Sequence, residues 1–259
     1  VKLTRDYANR CDCVVVPSAG IKQVLVTYGV TARIEVIPTG VDLAWAGGGE
    51  PAPIRQRWGI PREAPLIVYA GRVALEKNID LLVEGFARLA RGSFPGAHLL
   101  LVGGGPWDRA TLERARRLGV ADRVHLAGYL PREEVFRCYA EADLLAFPSL
   151  TDTQGLVVLE AMAMGTPPVA VRSSAVEGLI SPGEDGVLVE AKPEALARAM
   201  GELLADPGRR RELGARAREK ARAFSAESCA RRLAEVYREL VEQRQGKAGR
   251  GGKERAGSR

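Results

Sequence analysis

Histidine and cysteine are scarce in this chain. Of 259 residues only His98 and His125 are histidines, and the cysteines are Cys11, Cys13, Cys138 and Cys229. Zinc sites draw on several ligands at short spacings; no CxxC pair or clustered His/Cys set is present, so no metal is expected. The four thiols read as reduced structural side chains, because disulfides are rare in the cytosol. Cys11 and Cys13 would alternate out and in along a strand edge. Long apolar runs are missing too. No stretch approaches the roughly 20 residues of a membrane helix, and no charged-then-apolar leader opens the chain. A cytoplasmic protein is expected. What remains, 46% hydrophobic and 27% charged residues, suits one large soluble domain or two modest ones.

The formal net charge of +6 is unevenly placed. From Arg244 onward six basic residues stand against Glu254 alone, a net of +5, which leaves the body of the chain nearly neutral. A basic nucleic-acid-binding domain is not indicated, and no nucleic-acid partner is expected. The tail QGKAGRGGKERAGSR is glycine-rich and lacks apolar anchors, so 244–259 reads as disordered. Its charge has two readings: plain solvation, or peripheral attraction to an anionic membrane at the inner face.

Short apolar runs alternate with helix-length amphipathic segments. CVVVPS (13–18), RIEVIP (33–38), PLIVYAG (65–71), AHLLLVG (97–103), RVHLAG (123–128), DLLAFPS (143–149), PPVAVR (167–172) and DGVLVE (185–190) read as strands. Continuous apolar runs such as PLIVYA are the mark of parallel strands buried on both faces. Helices are expected over 19–29, 79–91 (with Asn78 as N-cap), 108–119, 132–142, 155–165, 193–206, 207–224 and, after Ser225, 226–243. A short element is expected at 175–180. The alternation implies an α/β fold: a doubly wound, Rossmann-like parallel sheet with helices on both faces. Ligands of such sheets sit beyond the carboxyl ends of the strands.

The candidate chemistry lies at those ends. After PLIVYA comes GRVALEKN, in which Gly71 permits a sharp turn and Arg72 and Lys77 stand five apart. Two cations off one strand end suit a diphosphate; ordinary surface charge, with Lys77 paired to Glu76, is the plainer reading. After AHLLL comes VGGGPW. It departs from the GxGxxG dinucleotide fingerprint at Asp108, and a tight turn explains it as well as close approach of Gly104 to a ligand. GYL (128–130) could offer Tyr129 and Leu130 backbone groups to a base. After DLLAFPS comes TDTQG and the helix LVVLEAMAM, whose N-terminus favours anions. Asp152 either accepts sugar hydroxyls or caps the helix. Glu160, in an apolar run, needs partners: paired ribose hydroxyls, a loop amide or an arginine.

The order GR-x4-KN, VGGGP, then Asp152-x7-Glu160 in a run ending EAMAMG, resembles the retaining family 4 glycosyltransferases of the GT-B fold, over positions 11–243. The resemblance implies the nucleotide-sugar-binding domain of such an enzyme over 38–225, with a C-terminal helix at 226–243. Residues 1–37 then read as the end of the N-terminal acceptor domain, which is otherwise missing; the chain reads as a fragment, as a split subunit that works with a separate N-terminal half, or as one whose start is misplaced. It implies diphosphate stabilisation by Arg72 and Lys77, donor-sugar contact by Asp152, and ribose binding by Glu160. Backbone contacts fall to Thr153, Gln154, Gly155 and Leu156, with GYL beside the base. No cofactor is implied; the donor itself, UDP-linked, is a substrate. The DTQG wording, with Asp where the family usually has Glu, is closest to diacylglycerol glucosyltransferases, so the acceptor reads as a membrane lipid or cell-envelope glycan. Two further readings stand beside hexosyl transfer: a non-catalytic nucleotide-sugar-binding module, and a nicotinamide-dependent dehydrogenase resting on VGGGP alone.

Overall fold

The computed structural model describes residues 1–44 and 54–256, with side chains described as far as 245. In chain order the elements are α1 (Lys2–Ala8), β1 (Val14–Val16), α2 (Ala19–Thr27), β2 (Ile34–Val36), α3 (Ile54–Arg57) and β3 (Leu66–Ala70). Then come α4 (Ile79–Arg91), β4 (His98–Val102), α5 (Asp108–Arg117), β5 (Val124–Gly128), α6 (Arg132–Glu141) and β6 (Leu144–Phe147). The remainder is α7 (Leu156–Met164), β7 (Pro168–Val171), β8 (Val187–Val189), α8 (Pro193–Ala205), α9 (Pro207–Arg222) and α10 (Ala226–Ala256).

β1 and β2 pair in parallel as a small sheet, and the other six strands form a parallel sheet in the order β5-β4-β3-β6-β7-β8. Every residue of β3, β6 and β7 is buried. Along β3 the side chains alternate between two cores, as the strand pleat dictates. Ile67 and Tyr69 join α4 and α8 on one face. Leu66, Val68 and Ala70 join α6, α7 and α9 on the other. The chain leaves β3 toward β4 and β5, then returns to place β6 on the other side of β3. That reversal, between β3 and β6, is the switch point where such sheets open a ligand crevice.

The chain passes between the small sheet and the six-stranded unit twice, side by side. Val41 N–H donates to the Phe224 carbonyl, and Ala226 N–H donates to that of Val41, both at 2.9 Å. α10 then meets the N-terminal elements, with Arg33 on Glu239 at 2.8 Å and Arg244 on Asp12 at 2.7 Å.

Several expectations need correction. Residues 175–180 form turns rather than a regular element. Cys11 and Cys13 precede β1 rather than alternating along it, because pairing with β2 begins at Val14. Asn78 does stand at the start of α4, but it is left-handed (φ 59°) and makes no side-chain cap. The tail read as disordered from 244 is helical to Ala256. No proline interrupts it, and extending a nucleated helix adds one hydrogen bond per residue. The last three tail residues, 257–259, lie outside the described residues. Among the described residues no helix is long and apolar enough to cross a membrane.

Candidate functional site

Two loops form the site, one after β3 and one after β6. Gly71 begins the first at φ 141°, which only glycine adopts readily, and its N–H donates to the Val102 carbonyl at 2.9 Å. Tyr69, at the end of β3, donates its hydroxyl to the Arg72 carbonyl at 2.9 Å and so holds the loop's shape. The second loop runs from Pro148 to Gly155, which is itself left-handed (φ 69°) at the N-cap of α7.

Three hydrogen bonds stitch the loops together. Asn78 Nδ2 donates to the Pro148 carbonyl at 3.2 Å, and Thr151 Oγ1 donates to that of Glu76 at 3.0 Å. Lys77 Nζ donates to Asp152 Oδ1 at 2.8 Å. The last is an ion pair whose side chains are only 21% and 26% exposed. The sequence gives these two residues separate roles; the fold makes them partners. Arg72, not Lys77, pairs with Glu76.

The crevice between the loops encloses about 620 Å³. Gly71, Arg72, Lys77, Asp152, Thr153, Gln154, Gly155 and Leu156 all line it. Glu160, Gly104, Tyr129 and Leu130 do not. Tyr69 and Thr39 line it without having been singled out in the sequence, and so does Glu76, read there only as a partner for Lys77. Gln154 is buried, and its amide exchanges hydrogen bonds with the backbone of Thr39, accepting at 2.9 Å and donating at 2.8 Å. Its side chain therefore ties the β6–α7 loop to PTGVD, leaving its backbone toward the crevice.

Glu160 lies on α7 with its side chain 13% exposed. Arg132 Nη2 donates to one oxygen at 3.0 Å and the Tyr139 hydroxyl to the other at 3.1 Å. Of its three expected kinds of partner, the structure supplies an arginine, with a tyrosine. Burial raises the carboxyl's pKa, while Arg132 and Tyr139 pull it back. A carboxyl raised above its unfolded value supports folding below that value and loses the support as pH rises through its folded pKa. At about pH 7 the ionised form is a net cost. Glu160→Gln is therefore expected to raise the melting temperature near neutrality, and the gain should vanish at about pH 4, where the wild-type acid is protonated. Thermal melts at the two pH values check this. Exposed Arg132 loses little by losing its partner.

The glycines of VGGGP serve packing. A Cβ on Gly103 would sit 2.1 Å from the Gly71 carbonyl oxygen, and one on Gly105 would sit 2.2 Å from that of Val73. Gly104 meets Tyr129, whose hydroxyl donates to the Gly104 carbonyl at 3.0 Å. The turn reading of this motif is the one the contacts explain. Among the described residues no group of three or more His, Cys, Asp or Glu side chains gathers to hold a metal. His98 and His125 stack with ring centroids 5.2 Å apart at the start of β4 and in β5, and neither lines the crevice.

A doubly wound parallel sheet, with a paired cation and acid at its switch point and a helix N-terminus lining the same crevice, defines a Rossmann-like domain of the GT-B type. The chain belongs to the family of glycosyl transferases group 1, whose model matches residues 52–220. The model of glycosyltransferase family 4 matches residues 2–45. It is similar to the D-inositol 3-phosphate glycosyltransferase of Xylanimonas cellulosilytica, 37% identical over 224 residues, covering 82% of this chain and 52% of the relative. The protein of the same name from Nocardia farcinica is 35% identical, covering 83% and 50%. The chain thus spans about half the length of the curated relatives it matches. Among solved structures, sucrose-phosphate synthase from Thermosynechococcus elongatus matches with a TM-score of 0.80 and 30% identity, over 93% of this chain and 61% of that one. Anabaena HepE, solved with UDP and glucose, matches with a TM-score of 0.83 and 21% identity, over 92% and 66%; at that identity the likeness concerns the fold.

Proposed function

We propose that this chain is the donor-binding half of a glycosyltransferase that moves a hexose from a UDP-linked sugar to an acceptor hydroxyl with retention at the anomeric carbon. The observation that carries the reading is the placement of Lys77, Asp152 and Arg72 in one crevice at the switch point. In the transfer the bond from the anomeric carbon to the diphosphate oxygen breaks with its electron pair left on the diphosphate, the acceptor oxygen bonds to the anomeric carbon, and the acceptor's hydroxyl proton passes to the departing diphosphate. Arg72, Lys77 and the first N–H groups of α7 stand where that charge would develop, and fixed donors of this kind lower the barrier. Asp152 takes the donor-sugar hydroxyls. Glu160 takes the ribose hydroxyls, displacing Arg132, with Tyr129 and Leu130 beside the base and Gly104 next to them. Thr153, Gln154, Gly155 and Leu156 contribute backbone groups.

Acceptor recognition belongs to the other half, for which residues 1–37 are the junction and the tail a peripheral membrane contact. The curated relatives' name favours a phosphorylated cyclitol hydroxyl as acceptor; the DTQG wording favours a membrane lipid or cell-envelope glycan. A second reading of these residues is a nucleotide-sugar-binding module without turnover. Calorimetric titration with UDP-glucose and with NAD, followed by a sugar-transfer assay, tests these readings. One UDP-glucose per chain and no NAD is the expected result. Binding without transfer selects the module, and NAD binding without UDP-glucose binding overturns both.

A further inference from the structure

The last turns of α4 and α5 carry Arg88, Arg91, Arg114 and Arg117. All four line one pocket of about 420 Å³ between these helices. Helices of a parallel α/β sheet run against the strands, so this pocket lies toward the edge opposite the crevice. Basic residues in a helix's last turn are favoured by the helix dipole. That accounts for basic residues in each last turn, but not for four converging on one pocket, where each disfavours the others.

Carboxylates pair with only two of the four arginines. Glu84 pairs with Arg114, whose Nε also lies 3.7 Å from Asp80 Oδ1, and Glu194 pairs with Arg88 at 2.5 Å. Arg91 and Arg117 have no hydrogen-bond or ion-pair partner among the described residues. Arg114 Nε–H is buried without a hydrogen-bond acceptor. Guanidinium groups fork onto phosphate oxygens two at a time, and the volume falls within the range of small-ligand sites.

We propose that the α4–α5 pocket is a second anion site, separate from the crevice, that takes a ligand bearing clustered phosphate groups. The ligand is either a soluble polyphosphate or the phosphorylated headgroup of a lipid, since both present the same oxygens to the arginines. None of the residues lining this pocket lines the donor crevice.

The test starts from the Arg72→Ala/Lys77→Ala chain, so that tripolyphosphate cannot be held by those two residues. Calorimetry is expected to find one tripolyphosphate per chain. Adding Arg91→Ala/Arg117→Ala should weaken it by at least about tenfold. Adding Arg62→Ala/Arg109→Ala removes the same charge from side chains 95% and 92% exposed elsewhere, and should leave the affinity within about threefold. Matching melts establish that each variant folds. Co-sedimentation with phosphatidylcholine vesicles, with and without phosphatidylinositol 4-phosphate, separates the sources. Vesicle binding that needs Arg91 and Arg117 assigns a headgroup; tripolyphosphate binding alone assigns a soluble ligand; either upholds the site. No tripolyphosphate binding in the starting chain, or an equal loss in the Arg62/Arg109 variant, overturns it.

Discussion

Lys77→Ala is expected to weaken UDP and UDP-glucose binding by about 100-fold, the loss of one charge-assisted contact worth up to about 3 kcal/mol. Two effects act together. The diphosphate loses a cation, and Asp152, left without its 2.8 Å partner, presents an unbalanced negative charge to an anionic ligand. Asp152→Asn should behave in the opposite sense toward UDP. Freed from its carboxylate, Lys77 becomes fully available to phosphate, so UDP affinity should hold or rise. The added affinity that the glucose moiety confers should fall, and transfer with it. Calorimetry of both variants with UDP and with UDP-glucose gives the four values needed. Unchanged UDP affinity in Lys77→Ala, or a fall in UDP affinity in Asp152→Asn, would make the pair a structural strut between the two loops.

Gly103→Ala carries the largest expected cost in stability. Its Cβ would lie 2.1 Å from the Gly71 carbonyl oxygen, at a φ of 118° that side chains rarely adopt. Overpacking and backbone strain each cost about 1–3 kcal/mol, so about 3 kcal/mol is a modest expectation for both. In a domain of this size that lowers the melting temperature by about 6–12 °C. Because Gly71 precedes Arg72, the same clash should also disturb the crevice. Gly104→Ala is the control: its Cβ meets the Tyr129 ring at 3.2 Å and Asp108 Oδ2 at 3.4 Å, outside the left-handed region, and both are side-chain atoms that can give way, the ring being exposed. Melts of the two variants should therefore differ sharply. Equal melting temperatures, with ligand binding lost only in Gly104→Ala, would return VGGGP to a phosphate-cradling role.

The layout of the sheet was legible because its central strands β3, β6 and β7 are buried on both faces. PLIVYA and DLLAF are nearly unbroken apolar runs, and each strand begins or ends within about two residues of its run, the ordinary scatter of element boundaries. Contacts between distant segments were not legible. Nothing local in GRVALEKN says that Lys77 meets Asp152 seventy-five positions later, or that Asn78 turns left-handed to reach the Pro148 carbonyl. Gln154 reads as a backbone contact to the ligand; that its side-chain amide would be spent on Thr39 was not legible. VGGGP resembles a nucleotide motif, but Gly103 and Gly105 answer to the Gly71 and Val73 carbonyls. The oddly placed acid Glu160 did signal a need for partners. Which ones it would find depended on α6 bringing Arg132 and Tyr139 alongside α7.

The titration with UDP-glucose can be given a location by reading it through amide hydrogen exchange. Binding should slow exchange in two separated segments, 71–77 and 151–156, and much less so in Lys77→Ala at the same ligand concentration. Slowed exchange confined to other strand ends, with both of these segments unchanged, would contradict a donor site at the β3–β6 switch point.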